Sequence, residues 1–239
     1  MNEDAGVKFG FDRVLFFGRS IGEYRTMFNF DPAEFQGKRI LDCSAGPAAL
    51  CATGAVLGLH VVACDPLYQS SLGELRQRAD DDARTVDQLQ AKTMPLFDEQ
   101  VRRADIRRRD MDVFLADFEK GKRDGRYVVG ELPNLPFENK TFDLTLCANF
   151  LFLYSSMRTG GLMLHSPFDY DFHLASLREL CRVTKEEVRL YPLNGPQTER
   201  HVYLDDVCAA LTADGVKCEL MAVAHQDIKT AKHLLSLQP

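Results

Sequence analysis

Asp42, Gly46, Asp65 and Glu131 each stand where an apolar run gives way to a turn, in RILDCSAGPAAL (39–50), HVVACDPLY (60–68) and RYVVGELPNLPF (126–137). In an open α/β sheet ligands bind beyond the carboxyl ends of the strands, so carboxylates at such ends can face a binding crevice. Gly46 lets the backbone approach a ligand closely. Asp65 is placed to accept hydrogen bonds from both hydroxyls of a ribose. The chemistry that suits this pattern is capture of a ribose-bearing cofactor. A dinucleotide fingerprint would put three glycines in the first turn; here Gly46 is flanked by Ser44, Ala45, Pro47 and Ala48. The same residues also fit a tight turn followed by an aspartate that caps the next segment.

Positioning these residues calls for strands alternating with helices, an α/β fold with a mostly parallel sheet. Strands are predicted over 39–44, 60–65, 126–131, 142–148, 186–193, 216–223 and 233–238, and helices over 20–28, 47–58, 171–183 and 203–213. The strand at 216 follows ADGV, where Gly215 can end a helix with positive φ. The stretch between Asp65 and Arg126 is several times longer than a crossover needs. Ser71 and Glu74 form a capping-box pattern there. Leu72, Leu75, Ala79, Ala83, Val86 and Leu89 recur at helical spacing, and Val113, Phe114 and Phe118 suggest another apolar face after Pro95. Residues 67–122 therefore read as a helical insertion, expected to lie over the ligand crevice. The whole chain, 1–239, is expected to form a single domain with an N-terminal helical segment over 1–37.

The stretch RYVVGELPNLPFENKTFDLTLCANFLFLY (126–154) carries a family resemblance. Together with ILDCSAGPAAL and VVACDPLY it resembles the class I S-adenosylmethionine-dependent methyltransferases, in particular a group of bacterial enzymes of the small-molecule type. The resemblance covers roughly 38–66 and 126–238. It implies a Rossmann-like, doubly wound, seven-stranded sheet, mostly parallel with an antiparallel last strand. It implies S-adenosylmethionine as cofactor and methyl transfer to a small-molecule acceptor by in-line displacement. In that likeness Asp42, Ser44 and Gly46 form the cofactor loop, and Asp65 with Pro66 after it lies at the ribose. Glu131 faces the adenine amino group, Leu132 covers the adenine ring and offers its backbone N–H, and Asn149 lies near the methyl group. Arg19, in FFGRSIGEYRTMF, would pair with the cofactor's carboxylate, with Tyr24 in the same region. The family's usual glycines are replaced by Ser44 and Ala48.

A sulfonium methyl is already activated, so the site must align an acceptor and exclude water. A base helps only if the acceptor is protonated at neutral pH. Candidates for one are His165, Tyr170 and His173 in RTGGLMLHSPFDYDFH (158–173), each of which also reads as an ordinary loop or helix residue. VRRADIRRRD (101–110) reads as a solvated helix face. The element that follows the fourth strand in enzymes methylating base amino groups is replaced by CANF, and no Cys/His cluster has metal-ligand spacing. With 45% hydrophobic residues, 27% charged residues and a net charge of −6, the 239-residue chain is of ordinary globular composition, and neither nucleic acid nor an anionic membrane is an expected partner. The seven cysteines, without a C-x-x-C pair, read as buried apolar residues of a reducing compartment. MNEDAGVKFG lacks the apolar core of a secretion signal. A cytoplasmic location is expected. Two rival readings stand beside the first: an NAD(P)-dependent oxidoreductase, and a non-catalytic module that binds S-adenosylmethionine.

Overall fold

The computed structural model describes residues 11–93, 104–196, 198–225 and 228–239, with side chains of 86–93 and 104–107 left aside. Seven strands form one sheet: β1 (Arg39–Cys43), β2 (His60–Cys64), β3 (Tyr127–Val128), β4 (Phe142–Ala148), β5 (Thr184–Tyr191), β6 (Lys217–Ala222) and β7 (His233–Gln238). Their order is β3-β2-β1-β4-β5-β7-β6, with β7 antiparallel to both neighbours and the other pairs parallel. This is the sheet that the resemblance implied.

β1 is central and sealed on both faces, which is why it reads as a continuous apolar run. Its residues still alternate: Ile40 faces one core, Leu41 the other. The first core holds α1 (Ile21–Met27), α2 (Leu50–Val56), α3 (Leu72–Thr93) and α4 (Ala104–Arg123), and the second holds α5 (Tyr170–Val183) and α6 (Leu204–Ala213). Helices thus cover both faces, the doubly wound arrangement. Among the described residues, no helix is long and apolar enough to cross a membrane. All seven cysteines are free, five of them buried.

The local signals hold where the chain has its own stop. Ser20 and Glu23 close a capping box on α1. Ser71 and Glu74 do the same ahead of α3, with Ser71 N donating to the Glu74 carboxylate at 2.8 Å. Gly215, at φ +90°, ends the turn after α6. Two expectations shift. β3 spans two residues instead of six: after Val128 the chain leaves the ladder and folds back on itself at 131–134, where Asn134 N donates to the Glu131 carbonyl at 3.0 Å. On α4 the buried stripe is Met111, Phe114, Leu115 and Phe118, spaced i, i+3, i+4, i+7, so Val113 falls outside it and is 42% exposed. Phe114 and Phe118 pack with Tyr68 and Tyr127 at centroid distances of 5.2–5.8 Å. Each ring so buried stabilises the fold by about 1.5–3 kcal/mol. This aromatic cluster anchors α4 to the edge of the sheet, and α3 packs on α4. Of the basic run VRRADIRRRD, residues 101–103 lie outside the described residues and the side chains of 104–107 are left aside; Arg108 and Arg109 are exposed, as on a solvated face.

Candidate functional site

The parallel register sets the site's frame. Asp42 lies beside Ala63 and Cys43 beside Cys64, so β1 and β2 end level. The residue that follows β2 is Asp65, 7% exposed, and its carboxylate is shared between two loops. Oδ2 accepts from Gly46 N at 2.9 Å and Oδ1 from Leu67 N at 2.9 Å. The second bond caps the 3-10 turn Pro66–Gln69. Asp65 therefore does cap the following segment, as one reading of the sequence had it, and it also ties the Gly46 turn to the end of β2. Each oxygen keeps a second lone pair for a ligand hydroxyl. Burial pushes its pKa up to about 6, against the lowering effect of the two amides. Gly46 takes φ +55°, the left-handed region that favours glycine. Ser44 is half-buried at the start of this turn.

Asp42 does not face the crevice, contrary to the expectation for it. It is fully buried, and the Tyr24 hydroxyl sits 2.8 Å from both its oxygens. Burial raises the Asp42 pKa to about 7, the Tyr24 bond working against that rise. Tyr24, itself fully buried, is also raised well above its ordinary value by burial and then by Asp42. Two residues expected at the cofactor thus bind each other and fasten α1 against β1. Arg19, just before α1, pairs with Glu23 at 3.3 Å, and its carbonyl accepts from Ala49 N at 2.8 Å. The residues leading into α1 therefore run along the Gly46 turn.

At the other edge, Asp65 N donates to the Val128 carbonyl at 3.2 Å, which sets β3 against β2. Gly130 follows, and a Cβ there would lie 2.6 Å from Pro136 Cδ and 2.8 Å from Cys64 Sγ. Only glycine lets this segment close onto the end of β2, which delivers exposed Glu131 and buried Leu132 beside it. Asn149, one residue past β4, adopts φ +52°; its N–H donates to the Tyr191 carbonyl at 2.6 Å and its Nδ2 reaches Met27 Sδ at 3.5 Å. Side-chain amides tolerate this conformation better than most residues.

Of the candidates for a base, His173 is fully buried, with Nδ1 2.6 Å from the Asp169 carbonyl and Nε2 3.1 Å from that of Leu151. Burial lowers its pKa despite both carbonyls. Its ring is occupied with joining α5 to the segment after β4. His165 is exposed in the following loop, and Tyr170 opens α5 packed edge-on against Tyr203 at 5.7 Å. A second buried histidine, which the sequence did not single out, stacks on His173: His201, with Nε2 2.5 Å from Ser155 Oγ and Nδ1 accepting from Tyr203 N at 3.2 Å. Because Nδ1 is the acceptor, Nε2 carries the proton and donates to Ser155. Burial and the neighbouring His173 lower the His201 pKa to about 3. The dyad is thus a hydrogen-bonded brace, with Ser155 Oγ receiving the proton side of the ring.

Three further residues around the turn were missed. Tyr68 donates from its hydroxyl to the Gly46 carbonyl at 2.6 Å. Phe16 is the nearest neighbour that a Cβ on Gly46 would meet, at 3.8 Å. Asp82, on α3, is fully buried and accepts from Phe16 N at 2.7 Å. Tyr68 stands in the same CDPLY stretch as Asp65, a proximity that could have marked it; Phe16 and Asp82 carry no comparable motif. Among the described residues, no group of three His, Cys, Asp or Glu side chains could hold a metal ion.

No protein-family model and no curated protein sequence matches the chain. Solved structures of similar shape include magnesium protoporphyrin IX methyltransferase from Synechocystis PCC 6803 with bound SAM, 12% identical over 86% of this chain and 72% of that one, TM-score 0.45. A SAM-dependent methyltransferase from Aquifex aeolicus is 16% identical over 90% of both chains, TM-score 0.34. PigF with SAH is 14% identical over 88% of this chain, which spans 52% of that protein's length, TM-score 0.43. Independently of those likenesses, the strand order and the antiparallel seventh strand described above are those of the class I methyltransferase fold.

Proposed function

We propose that the chain is an S-adenosylmethionine-dependent methyltransferase acting on a small-molecule acceptor. The observation that carries this reading is the Asp65 carboxylate, placed at the end of β2 and bonded to the N–H of a left-handed Gly46. That pairing joins a diol-binding carboxylate to a loop open to close backbone approach. The residues present fit the cofactor. A side chain is missing where the loop must meet a ligand, and Asp65 has lone pairs left for a ribose. Exposed Glu131 stands where a polar edge such as the adenine amino group can reach it.

S-adenosylmethionine, when bound, supplies a methyl group already activated on a sulfonium. The chain's own residues bind, orient and exclude water. Asp65 holds the ribose diol and Pro66 sets the turn beneath it. Glu131 accepts from the adenine edge, and Leu132 covers the ring. Ser44 lines the loop, Asn149 stands toward the acceptor, and Arg19 meets the carboxylate end of the cofactor. Asp42 acts through Tyr24, by fixing α1. With His173 occupied by main-chain carbonyls, His165 and Tyr170 are the groups left to take a proton where the acceptor has one to lose. The acceptor is a small molecule in this reading because the net charge of −6 does not favour a polyanion.

Thermal unfolding with S-adenosylhomocysteine and with NAD tests the proposal. At a concentration one hundred times Kd a ligand stabilises by about 2.7 kcal/mol, and for a chain of this size that moves Tm by roughly 5–10 °C. S-adenosylhomocysteine is expected to give such a shift and NAD none. An NAD shift without one for S-adenosylhomocysteine would assign the site to a nicotinamide cofactor instead.

A further inference from the structure

Asp82 is a carboxylate with no exposure, in the middle of a long helix, and it belongs to none of the cofactor contacts described above. A buried carboxylate is costly unless its lone pairs are filled. Here they are filled from two directions. Arg78, one turn back on α3, donates from Nε at 2.7 Å. The other donors come from far away in the sequence: the Phe16 main-chain N–H at 2.7 Å, and the Arg13 guanidinium. Arg78 also reaches across to the same segment, donating from Nη2 to the Val14 carbonyl at 2.7 Å.

Residues 11–19 are thus a strap held at three places. At one end Phe11 pairs with the segment after β4: its N–H donates to the Leu162 carbonyl at 2.9 Å, and its carbonyl accepts from Leu164 N at 3.1 Å. In the middle sits Asp82, with Leu15 N also bonded to the Tyr154 hydroxyl at 3.3 Å. At the other end the Arg19 carbonyl accepts from Ala49 N, just past the Gly46 turn. Between the last two ties, Phe16 lies over Gly46 and edge-on to Phe114 of α4, at 5.9 Å between centroids. The strap therefore runs past the segments that follow β1 and β4, and its charged anchors, Asp82 and Arg78, belong to the insertion.

We propose that Asp82 is a positioning residue for the cofactor site, latching the N-terminal strap across the Gly46 turn so that Phe16 and Arg19 are held where a cofactor is captured. The proposal rests on the reading of that turn as a cofactor loop. It also gives the insertion a definite role, since α3 supplies the latch. Arg78, one turn back on the same helix, aims Asp82; Phe16 N–H and Arg13 are the ties that part when the strap lifts. Asp82 touches no ligand and acts only through the strap.

The test compares wild type with Asp82→Asn and, as a second variant, Arg13→Ala, whose side chain is 45% exposed and whose loss leaves α3 intact. Amide hydrogen exchange is read over 11–19 without ligand, and S-adenosylhomocysteine binding by calorimetry. In folded Asp82→Asn, exchange over 14–19 is expected to quicken at least about tenfold, and S-adenosylhomocysteine affinity to fall at least about tenfold, since charged hydrogen bonds of this kind are lost together. Arg13→Ala should move both in the same direction by less. If Asp82→Asn does not fold, Arg13→Ala decides alone: unchanged strap exchange and unchanged affinity overturn the proposal. Faster strap exchange with unchanged affinity also overturns it, because the strap would then be structural only. If wild-type protein shows no S-adenosylhomocysteine binding, the reading of the turn has failed, a result distinct from any difference between variant and wild type.

Discussion

Replacing Asp65 by alanine separates a residue that caps a turn from one that holds a ligand. The structure lets both sides be worked out. The variant loses the cap on the 3-10 turn at Leu67 N, about 1 kcal/mol. It also leaves the Gly46 N–H without its acceptor, about 1–3 kcal/mol. Against this, the wild-type carboxylate is held ionised at neutral pH in a place that raises its pKa from 3.8 to about 6. By linkage that shift is a penalty on the ionised folded state of about 3 kcal/mol, and alanine removes it. The two sides nearly cancel, so Asp65→Ala is expected to change stability by no more than about 1 kcal/mol at pH 7.5.

Binding has no such offset. A hydrogen-bonded charge facing the ribose diol is worth about 1–3 kcal/mol, so the affinity for S-adenosylhomocysteine should fall roughly 5- to 150-fold. Calorimetry gives the affinity, and urea unfolding gives the stability of the same preparation. A folded variant whose affinity stays within about twofold of wild type, itself well under 1 kcal/mol, would refute the assignment and leave Asp65 as a cap alone. A large stability loss would refute the cancellation, and with it the raised pKa on which the cancellation depends.

Three further outcomes follow from the same geometry. Gly46→Val should cost about 1–2 kcal/mol in folding, from forcing a β-branched residue to φ +55°, and should abolish S-adenosylhomocysteine binding; normal binding by calorimetry would remove the turn from the site. Gly130→Ala places a methyl 2.6 Å from Pro136 and 2.8 Å from Cys64, so overpacking of about 1–3 kcal/mol is expected in thermal unfolding, with near-wild-type stability as the contrary result. Asp42→Asn tests the sign of a buried charge. The Asp42 pKa is raised from 3.8 to about 7, so the folded state takes up its proton first. Its contribution is most favourable below 3.8 and is lost as pH rises through about 7. Wild type should therefore gain stability relative to Asp42→Asn as pH falls across that window, by up to about 1.4 kcal/mol per pH unit, and urea unfolding at several pH values would show the opposite slope if the site were not desolvated.

The strands were legible because each carries its evidence locally. Ile40, Leu41, Val61, Ala63, Leu144 and Leu146 are apolar in runs of strand length, and the acidic residue closing a run marks the end of the sheet where ligands bind. The helix start at Ser71 was legible for a similar reason, since a capping box spans four residues, and the box that Ser20 forms with Glu23 carries the same kind of local signal. β3 ended early because the chain folds back on itself at 131–134, while the apolar run of Tyr127, Val128 and Val129 is the stronger local signal. What could not be read was polar pairing across long separations. Nothing near Asp42 announces that Tyr24 will seal it, and nothing near His173 announces His201.

Asp82 shows how close a sequence can come to declaring such a pair. It sits in RADDDAR, where three consecutive aspartates look like a solvated helix face. Yet Leu75, Ala79 and Asp82 are spaced i, i+4, i+7, which puts Asp82 on the stripe that the apolar residues define and Asp80 and Asp81 off it. A carboxylate on a buried stripe must find partners or be removed by selection for stability. That spacing is a signal by which Asp82 could have been found, as a carboxylate in need of a cation or N–H. It could not say that these would be Arg13 and the Phe16 amide, because those lie on a segment without a period of its own, positioned by long-range ties such as those to Leu162 and Ala49. Periodicity locates the demand for a partner, and tertiary structure alone supplies it. Here that supply is what sets the strap over the Gly46 turn.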